Sequence, residues 1–277
     1  MPIFDNHFHL RPSGLGVAAA RRFEKAGGTA LLLTHAPYEE APIRSGDDYA
    51  RSYQVTMELG EAVRRDTDLQ VFVALGPYPV ELVWLAEIAG VDRAERALEE
   101  GLSLAADHVR EHRAIALGEV GRPHFPVSPE LWAASNRILQ RAMDLARDLG
   151  CAVVVHSEDP TAETFREFAE MADRAGLARH KVVKHHSAPF TDPAVTHGIV
   201  PSLLAKSDLV TSAVAGGGPF LLETDYIDDP KRPGAVLGPA TVPRKTKRWR
   251  ASGLLGDAEM HRVHGELPER TYGIRLE

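Results

Sequence analysis

Two histidines stand one residue apart near the start of the chain, in the stretch FDNHFHL that spans residues 4 to 10. Side chains at positions i and i+2 of a β-strand point to the same face, so His7 and His9 can project together, with Asp5 on the same side. Imidazole nitrogens are suitable ligands for divalent transition metals. One His-x-His is weak support for a metal site, so the rest of the chain must supply further ligands.

Further residues of the metal-binding types follow at the ends of other apolar runs. They are Glu119 in IALGEVG, His156 in AVVVHSE, His185 and His186 in KVVKHHSA, and Glu223 and Asp225 in PFLLETDY. A lone histidine or carboxylate at such a position is more often a hydrogen-bonded core residue or a helix cap. Five strand ends that all carry these types indicate a centre for one or two metal ions, which Glu119 is placed to bridge.

The apolar runs alternate with segments of 3.6-residue periodicity, which is typical of strands alternating with helices. Eight strands are predicted: Ile3–Leu10, Thr29–His35, Leu69–Gly76, Ala114–Gly121, Cys151–Ser157, Val182–Ser187, Gly198–Leu204 and Phe220–Tyr226. This order favours an α/β fold, a (β/α)8 TIM barrel that forms a single domain over residues 1–277. The C-terminal strand ends of such a barrel converge on one face, where all the candidate ligands would meet.

Composition excludes several classes of protein. The formal net charge of −7 argues against a general electrostatic grip on nucleic acid or membrane. The single cysteine, Cys151, rules out a disulfide within the chain. No apolar run approaches the roughly 18 residues that span a bilayer, and no secretory leader precedes the first strand. We therefore expect a cytoplasmic protein with no membrane partner, and the sequence leaves the oligomeric state open.

With these residues identified, the sequence resembles the TatD-like metal-dependent hydrolases of the amidohydrolase superfamily. DNHFHL is similar to that family's D-x-H-x-H-L, GEVG to G-E-[IV]-G, VHS to the end of V-x-I-H-S, LLETD to L-L-E-T-D, and PERTYGI to the closing N-x-x-R-x-F-G-[LIV]. The resemblance runs along the whole chain in the right order. It implies a barrel hydrolase with a one- or two-metal centre.

The resemblance also implies roles for individual residues. His7, His9, Glu119 and Asp225 would hold one ion, while Glu119, His156 and a histidine of the sixth strand would hold the other. Asp225 would in addition orient or deprotonate the attacking water, so Asp225 and Glu119 are the predicted catalytic residues.

The ligand from the sixth strand is ambiguous because His185 and His186 are adjacent. We expect His186 to be the ligand, since the family's histidine is followed by a small or polar residue and Ser187 follows His186. His185 would then pack or hydrogen-bond outside the metal site. Side-chain alternation gives no clean answer, because this choice turns Lys184 toward the barrel interior.

The loops depart from the family pattern. Tyr78 replaces the histidine of G-x-H-P, and His124 lies where the family often has L-D-Y. The predicted substrate-binding residues are His35, Tyr78, His124, Glu223 and Arg244. Arg244 belongs to the basic run PRKTKRWR, which suggests a phosphate contact or, alternatively, a solvated helix with Trp249 buried.

These observations predict a metal-dependent hydrolase that uses a metal-activated water. A small-molecule or nucleic-acid phosphoester ranks first as substrate, including TatD-like deoxyribonuclease activity. Amide, lactone or other small-molecule ester hydrolysis is the alternative, and a non-catalytic metal- or ligand-binding barrel is the second. The ligand set suits Zn, Mn, Ni or Mg, with Zn or Mn favoured because histidines predominate.

Overall fold

A computed structural model describes residues 1–232 and 235–277 and contains a ring of parallel strands. Neighbouring strands pair in chain order from the first to the eighth. The strands are β1 (Phe4–His9), β2 (Ala30–Thr34), β3 (Gln70–Leu75), β4 (Ala116–Gly121), β5 (Ala152–His156), β6 (Val182–Lys184), β7 (Val200–Leu204), β8 (Leu221–Glu223) and β9 (Tyr226–Ile227).

The short strands β8 and β9 close the barrel. β8 pairs with β7, and β9 begins three residues after Glu223 and pairs with β1 through Phe8–Tyr226 and His9–Ile227. The two strands are thus an interrupted eighth strand, with Thr224 and Asp225 at the break. The predicted (β/α)8 TIM-barrel fold class is confirmed.

Helices separate the strands and cover the outside of the barrel. They are α1 (Val17–Lys25), α2 (Asp48–Asp66), α3 (Pro79–Ala89), α4 (Val91–Arg110), α5 (Pro129–Leu149), α6 (Ala162–Ala175), α7 (Pro193–Thr196), α8 (Ser207–Gly216), α9 (Thr241–Ala251), α10 (Asp257–His261) and α11 (Leu267–Tyr272). Gly150 ends α5 in the left-handed conformation at φ 66°, which glycine adopts without steric cost. Within the described residues, no helix combines the length and apolarity that crossing a membrane requires.

Alternation along each strand divides the core into two layers. Val154 and Val183 belong to the cluster that fills the barrel, together with Phe4, whereas Val153 and Val182 pack outward against the helices. Because side chains alternate, the residues two positions beyond Val154 and Val183 must also face inward. The interior layers therefore end in His156 and His185 at the C-terminal mouth.

Candidate metal centre

The C-terminal ends of the strands surround a cavity of about 400 Å³. His9 from β1, Glu119 from β4, His156 from β5 and Asp225 from the break in the eighth strand line it. His7 lies behind His9 and is fully buried. The structure thus brings together the predicted ligands from four different strands, as the convergence of a barrel requires.

Three donor atoms meet on the side of β1. The Nε2 atoms of His7 and His9 are 3.0 Å apart, and the His9 Nε2 is 3.6 Å from Oδ1 of Asp225. Ligands about 2.0–2.1 Å from one ion lie roughly 3 Å apart at tetrahedral or octahedral angles, so this spacing fits a shared metal. His9 Nδ1 is 2.9 Å from the carbonyl oxygen of Thr34, which accepts its proton and leaves the Nε2 lone pair facing the cluster.

A second group of donors meets at Glu119. Its Oε2 is 3.0 Å from Nδ1 of His156 and 2.9 Å from Nε2 of His185, and these two nitrogens are 3.0 Å apart. Glu119 also faces the first group, because its two oxygens each lie 3.8 Å from Nε2 of His7 or His9. A carboxylate placed between two sets of histidines could serve both ions of a two-metal centre.

The structure corrects the expected ligand from the sixth strand. His185 lies among the donors and is buried, whereas the side chain of His186 is 45% exposed and its Nδ1 lies 3.0 Å from Oδ2 of Asp225. Alternation from the inward Val183 turns His185 toward the barrel interior and His186 away from it, and His186 adopts a left-handed backbone at φ 47° just beyond the end of β6. Lys184 donates from Nζ to the carbonyl oxygen of His185 at 2.6 Å.

Burial and mutual contacts shift the protonation of the cluster. Burial acts to raise the pKa of Glu119, but His156 and His185 outweigh it and hold that pKa well below its usual range. Burial, together with the neighbouring His185 and His9, lowers the pKa of His7 well below its ordinary value. Glu119 is therefore an ionised carboxylate and His7 a neutral imidazole, which are the protonation states in which these two residues bind metal.

Glu223 lies beneath the centre and not in the substrate cavity, so its predicted contact with substrate is corrected. It is fully buried, its Oε1 accepts the His186 N–H at 2.7 Å, and the same oxygen is 3.5 Å from Nδ1 of His185. Its Oε2 accepts the hydroxyl of Ser202. This position supports His185 from behind, as carboxylates do for metal-binding histidines.

Of the other predicted substrate residues, two line the cavity and two do not. The Tyr78 ring centroid is 5.1 Å from that of His156, and His124 Nδ1 is 3.0 Å from His156 Nε2. His35 is buried outside the cavity with Nδ1 2.8 Å from Oγ1 of Thr56, and Arg244 is exposed on α9 away from the cavity lining, so their predicted substrate contacts are corrected.

Sequence reasoning missed two charged residues that line the cavity. Asp159 follows β5, and Arg232 lies in the segment after β9, where Asp229 holds its Nε at 3.0 Å. Neither belongs to a motif. The available signal was their position, because loops that follow barrel strands build the mouth of the site.

Comparison with known proteins identifies the family of the chain and a related sequence. The family model described as TatD related DNase matches residues 4–273. An uncharacterised protein of Methanocaldococcus jannaschii is 38% identical over 283 residues, covering 100% of this chain and 98% of that protein.

Two solved structures show the same fold at low sequence identity. A mutant organophosphorus hydrolase from Deinococcus radiodurans has a TM-score of 0.66 at 16% identity, covering 98% of this chain and 93% of its own. A TatD-like protein from Archaeoglobus fulgidus has a TM-score of 0.62 at 14% identity, covering 98% of this chain and 100% of its own.

Proposed function

Because the chain belongs to the TatD-related DNase family, a family of metal-dependent hydrolases, we propose that it hydrolyses phosphoester bonds. The observation that carries the proposal is Glu119, whose carboxylate lies between the histidines of β1 and those of β5 and β6. The donor set of nitrogens and carboxylate oxygens fits divalent ions, with Zn or Mn favoured. His7, His9, Glu119 and Asp225 would hold one ion, and Glu119, His156 and His185 the other.

Bound divalent ions would lower the pKa of water toward about 7 and offset the charge that develops during hydrolysis. Asp225 is placed to accept the proton of the attacking water. Burial acts to raise its pKa, but the hydrogen bond from His186 and the nearby histidines of the cluster, His9 among them, hold it below the ordinary value, so the carboxylate is ionised at neutral pH. His186 fixes the orientation of Asp225 and, being 45% exposed, can pass the proton to solvent.

The other residues of the cavity favour an anionic substrate. Arg232, His124 and Tyr78 surround the opening and can donate hydrogen bonds to phosphoryl oxygens and to the leaving group. Asp159, a carboxylate outside the proposed ligand set, opposes this preference, because it would repel a phosphate placed on its side. A cavity of about 400 Å³ suits a small phosphoester or the end of a nucleic-acid strand. The single buried cysteine, Cys151, suits a reducing compartment, and we place the protein in the cytoplasm.

The test is hydrolysis by protein loaded with Zn or Mn, assayed on a chromogenic phosphodiester, an aryl ester and a lactone, with and without chelator. We expect phosphodiester turnover that chelator abolishes and that Asp225→Asn lowers by at least about 100-fold. Asp257→Asn, a change at an exposed residue that does not line the cavity, is the matched control and should retain full activity. Turnover of the lactone alone would select the alternative hydrolase, and a loaded protein that binds metal but turns over nothing would select the binding protein.

A further inference from the structure

A second cavity of about 310 Å³ opens among loops at the same end of the barrel. We call it the Trp84 pocket. Its lining includes Arg11 from the segment after β1, Tyr38 and Ile43 from the segment after β2, and Glu81, Trp84 and Leu85 from α3. The residues that follow β1 to β3 build this pocket, whereas most residues of the metal-centre cavity lie within or after β4 to β6.

A tyrosine separates the two cavities. Tyr78 lines the metal-centre cavity, and its ring centroid is 5.1 Å from His156 on one side and 6.4 Å from Trp84 on the other. Its backbone N–H donates to Oε2 of Glu81 at 3.1 Å, which ties it to the wall of the Trp84 pocket. A substrate that extends past Tyr78 would therefore enter the Trp84 pocket.

The pocket combines a flat apolar wall with a polar edge. The Trp84 side chain is 48% exposed, although its neighbours Leu82 and Leu85 on α3 are buried. Arg11 Nε is buried and has no hydrogen-bond partner among the described residues. Glu81 is 2% exposed, and the hydrogen bonds that it accepts from Tyr49 and Tyr78 both end at Oε2, so Oε1 accepts none from the described residues.

We propose that the Trp84 pocket binds a planar aromatic group of the substrate that carries a polar edge, while the metal centre holds the group to be cleaved. The indole of Trp84 supplies a stacking surface, and Arg11 and Glu81 supply a donor and an acceptor for the edge. A nucleobase and a substituted phenol share this chemistry. The inference rests on the proposed phosphoester hydrolysis and names the substrate class for it.

The experiment measures the binding of three phosphate monoesters to the Zn-loaded protein by calorimetry. They are thymidine 5′-monophosphate, p-hydroxyphenyl phosphate and methyl phosphate, which has no aromatic group. Stacking of a base on an aromatic side chain contributes about 1–3 kcal/mol, so Trp84→Ala should weaken binding of at least one aromatic ester by about 5- to 150-fold. Methyl phosphate binding should not change, and Trp84→Phe should restore most of the lost affinity.

Ile88→Ala is the matched control, because Ile88 is 83% exposed and lies one turn beyond Trp84 on α3. It should leave all three affinities unchanged. Loss confined to the thymidine ester identifies a nucleobase, and loss confined to the phenyl ester identifies an aryl group. An equal loss for methyl phosphate, no loss for either aromatic ester, or a change of oligomeric state in Trp84→Ala would overturn the proposal. Binding that depends on Trp84 without phosphoester turnover would retain the pocket and reject the reaction.

Discussion

Replacing each of the adjacent histidines in turn separates a metal ligand from its neighbour. We expect His185→Gln to lose the ion held by Glu119 and His156, because His185 Nε2 is 2.9 Å from Glu119 Oε2 and 3.0 Å from His156 Nδ1. We expect His186→Gln to retain that ion, because the His186 ring makes its hydrogen bond, of 3.0 Å, to Asp225 and not to Glu119, His156 or His185.

The size of each effect follows from these contacts. Removing a group that merely orients a metal ligand costs about 10- to 100-fold in metal affinity. His185 supplies one of three donors itself, so its loss should cost at least about 100-fold, or roughly 2.7 kcal/mol. A hydrogen bond to a charged group contributes about 1.5–3 kcal/mol, and the 45% exposure of His186 reduces this through solvent screening. His186→Gln should therefore lower activity by about tenfold or less.

The assay is metal content after dialysis against a competing chelator, followed by affinity from a chelator titration. The wild-type protein and His186→Gln should retain the same number of ions, and His185→Gln should retain one fewer. Thermal unfolding of each metal-free variant checks that the fold survives, since the His185 ring stacks on His7 with centroids 4.1 Å apart. Equal metal content in His185→Gln and wild type, or loss of an ion in His186→Gln, would refute the assignment.

Three further changes test the support of the site and the fold. Glu223→Gln should weaken the ion near His185 by about 10- to 100-fold in a chelator titration, and an unchanged affinity would remove Glu223 from that role. Burial raises the pKa of Glu81 from 4.5 to about 7, so the stability that its protonation contributes is full below pH 4.5 and lost as pH rises through 7. The glutamine of the Glu81→Gln variant does not titrate, so the free energy of unfolding of that variant should fall by about 3 kcal/mol less than that of wild type over this pH range. Denaturant titrations at several pH values measure the difference, and parallel plots of unfolding free energy against pH would contradict the expectation. Phe165→Ala should cost about 3–5 kcal/mol in denaturant titrations because the ring is fully buried, and a cost below about 1 kcal/mol would show that the site collapses around it.

The residues at the strand ends were predictable because two simple structural rules act together. Alternation along each strand fixes which side chains face inward, and barrel closure brings those from distant strands to one mouth. The sequence thus predicts that His7, His9, Glu119, His156 and Asp225 meet, and the structure places them within a few ångströms of one another.

Depth along a strand was not predictable from the same pattern. Glu223 and Asp225 stand two residues apart at the end of LLETDY, and alternation alone gives both the same direction. Asp225 reaches the cavity, whereas Glu223 lies one layer deeper, beneath His185. The loop residue Arg232 was missed for a different reason, since no periodicity governs a loop and its place depends on how the loop packs.

The break in the eighth strand explains why the opening motif begins with an aspartate. Asp5 does not reach the metal cluster; its carboxylate accepts the Thr224 N–H at 2.9 Å and the Thr224 hydroxyl at 2.7 Å. Thr224 immediately precedes Asp225, which adopts a left-handed backbone at φ 46° that costs a non-glycine residue about 1 kcal/mol or more. Asp5 is therefore positioned to hold the break from which Asp225 projects. The opening DNHFHL motif and the LLETD motif are thus joined by hydrogen bonds, and this unit sets His7 and His9 opposite Asp225.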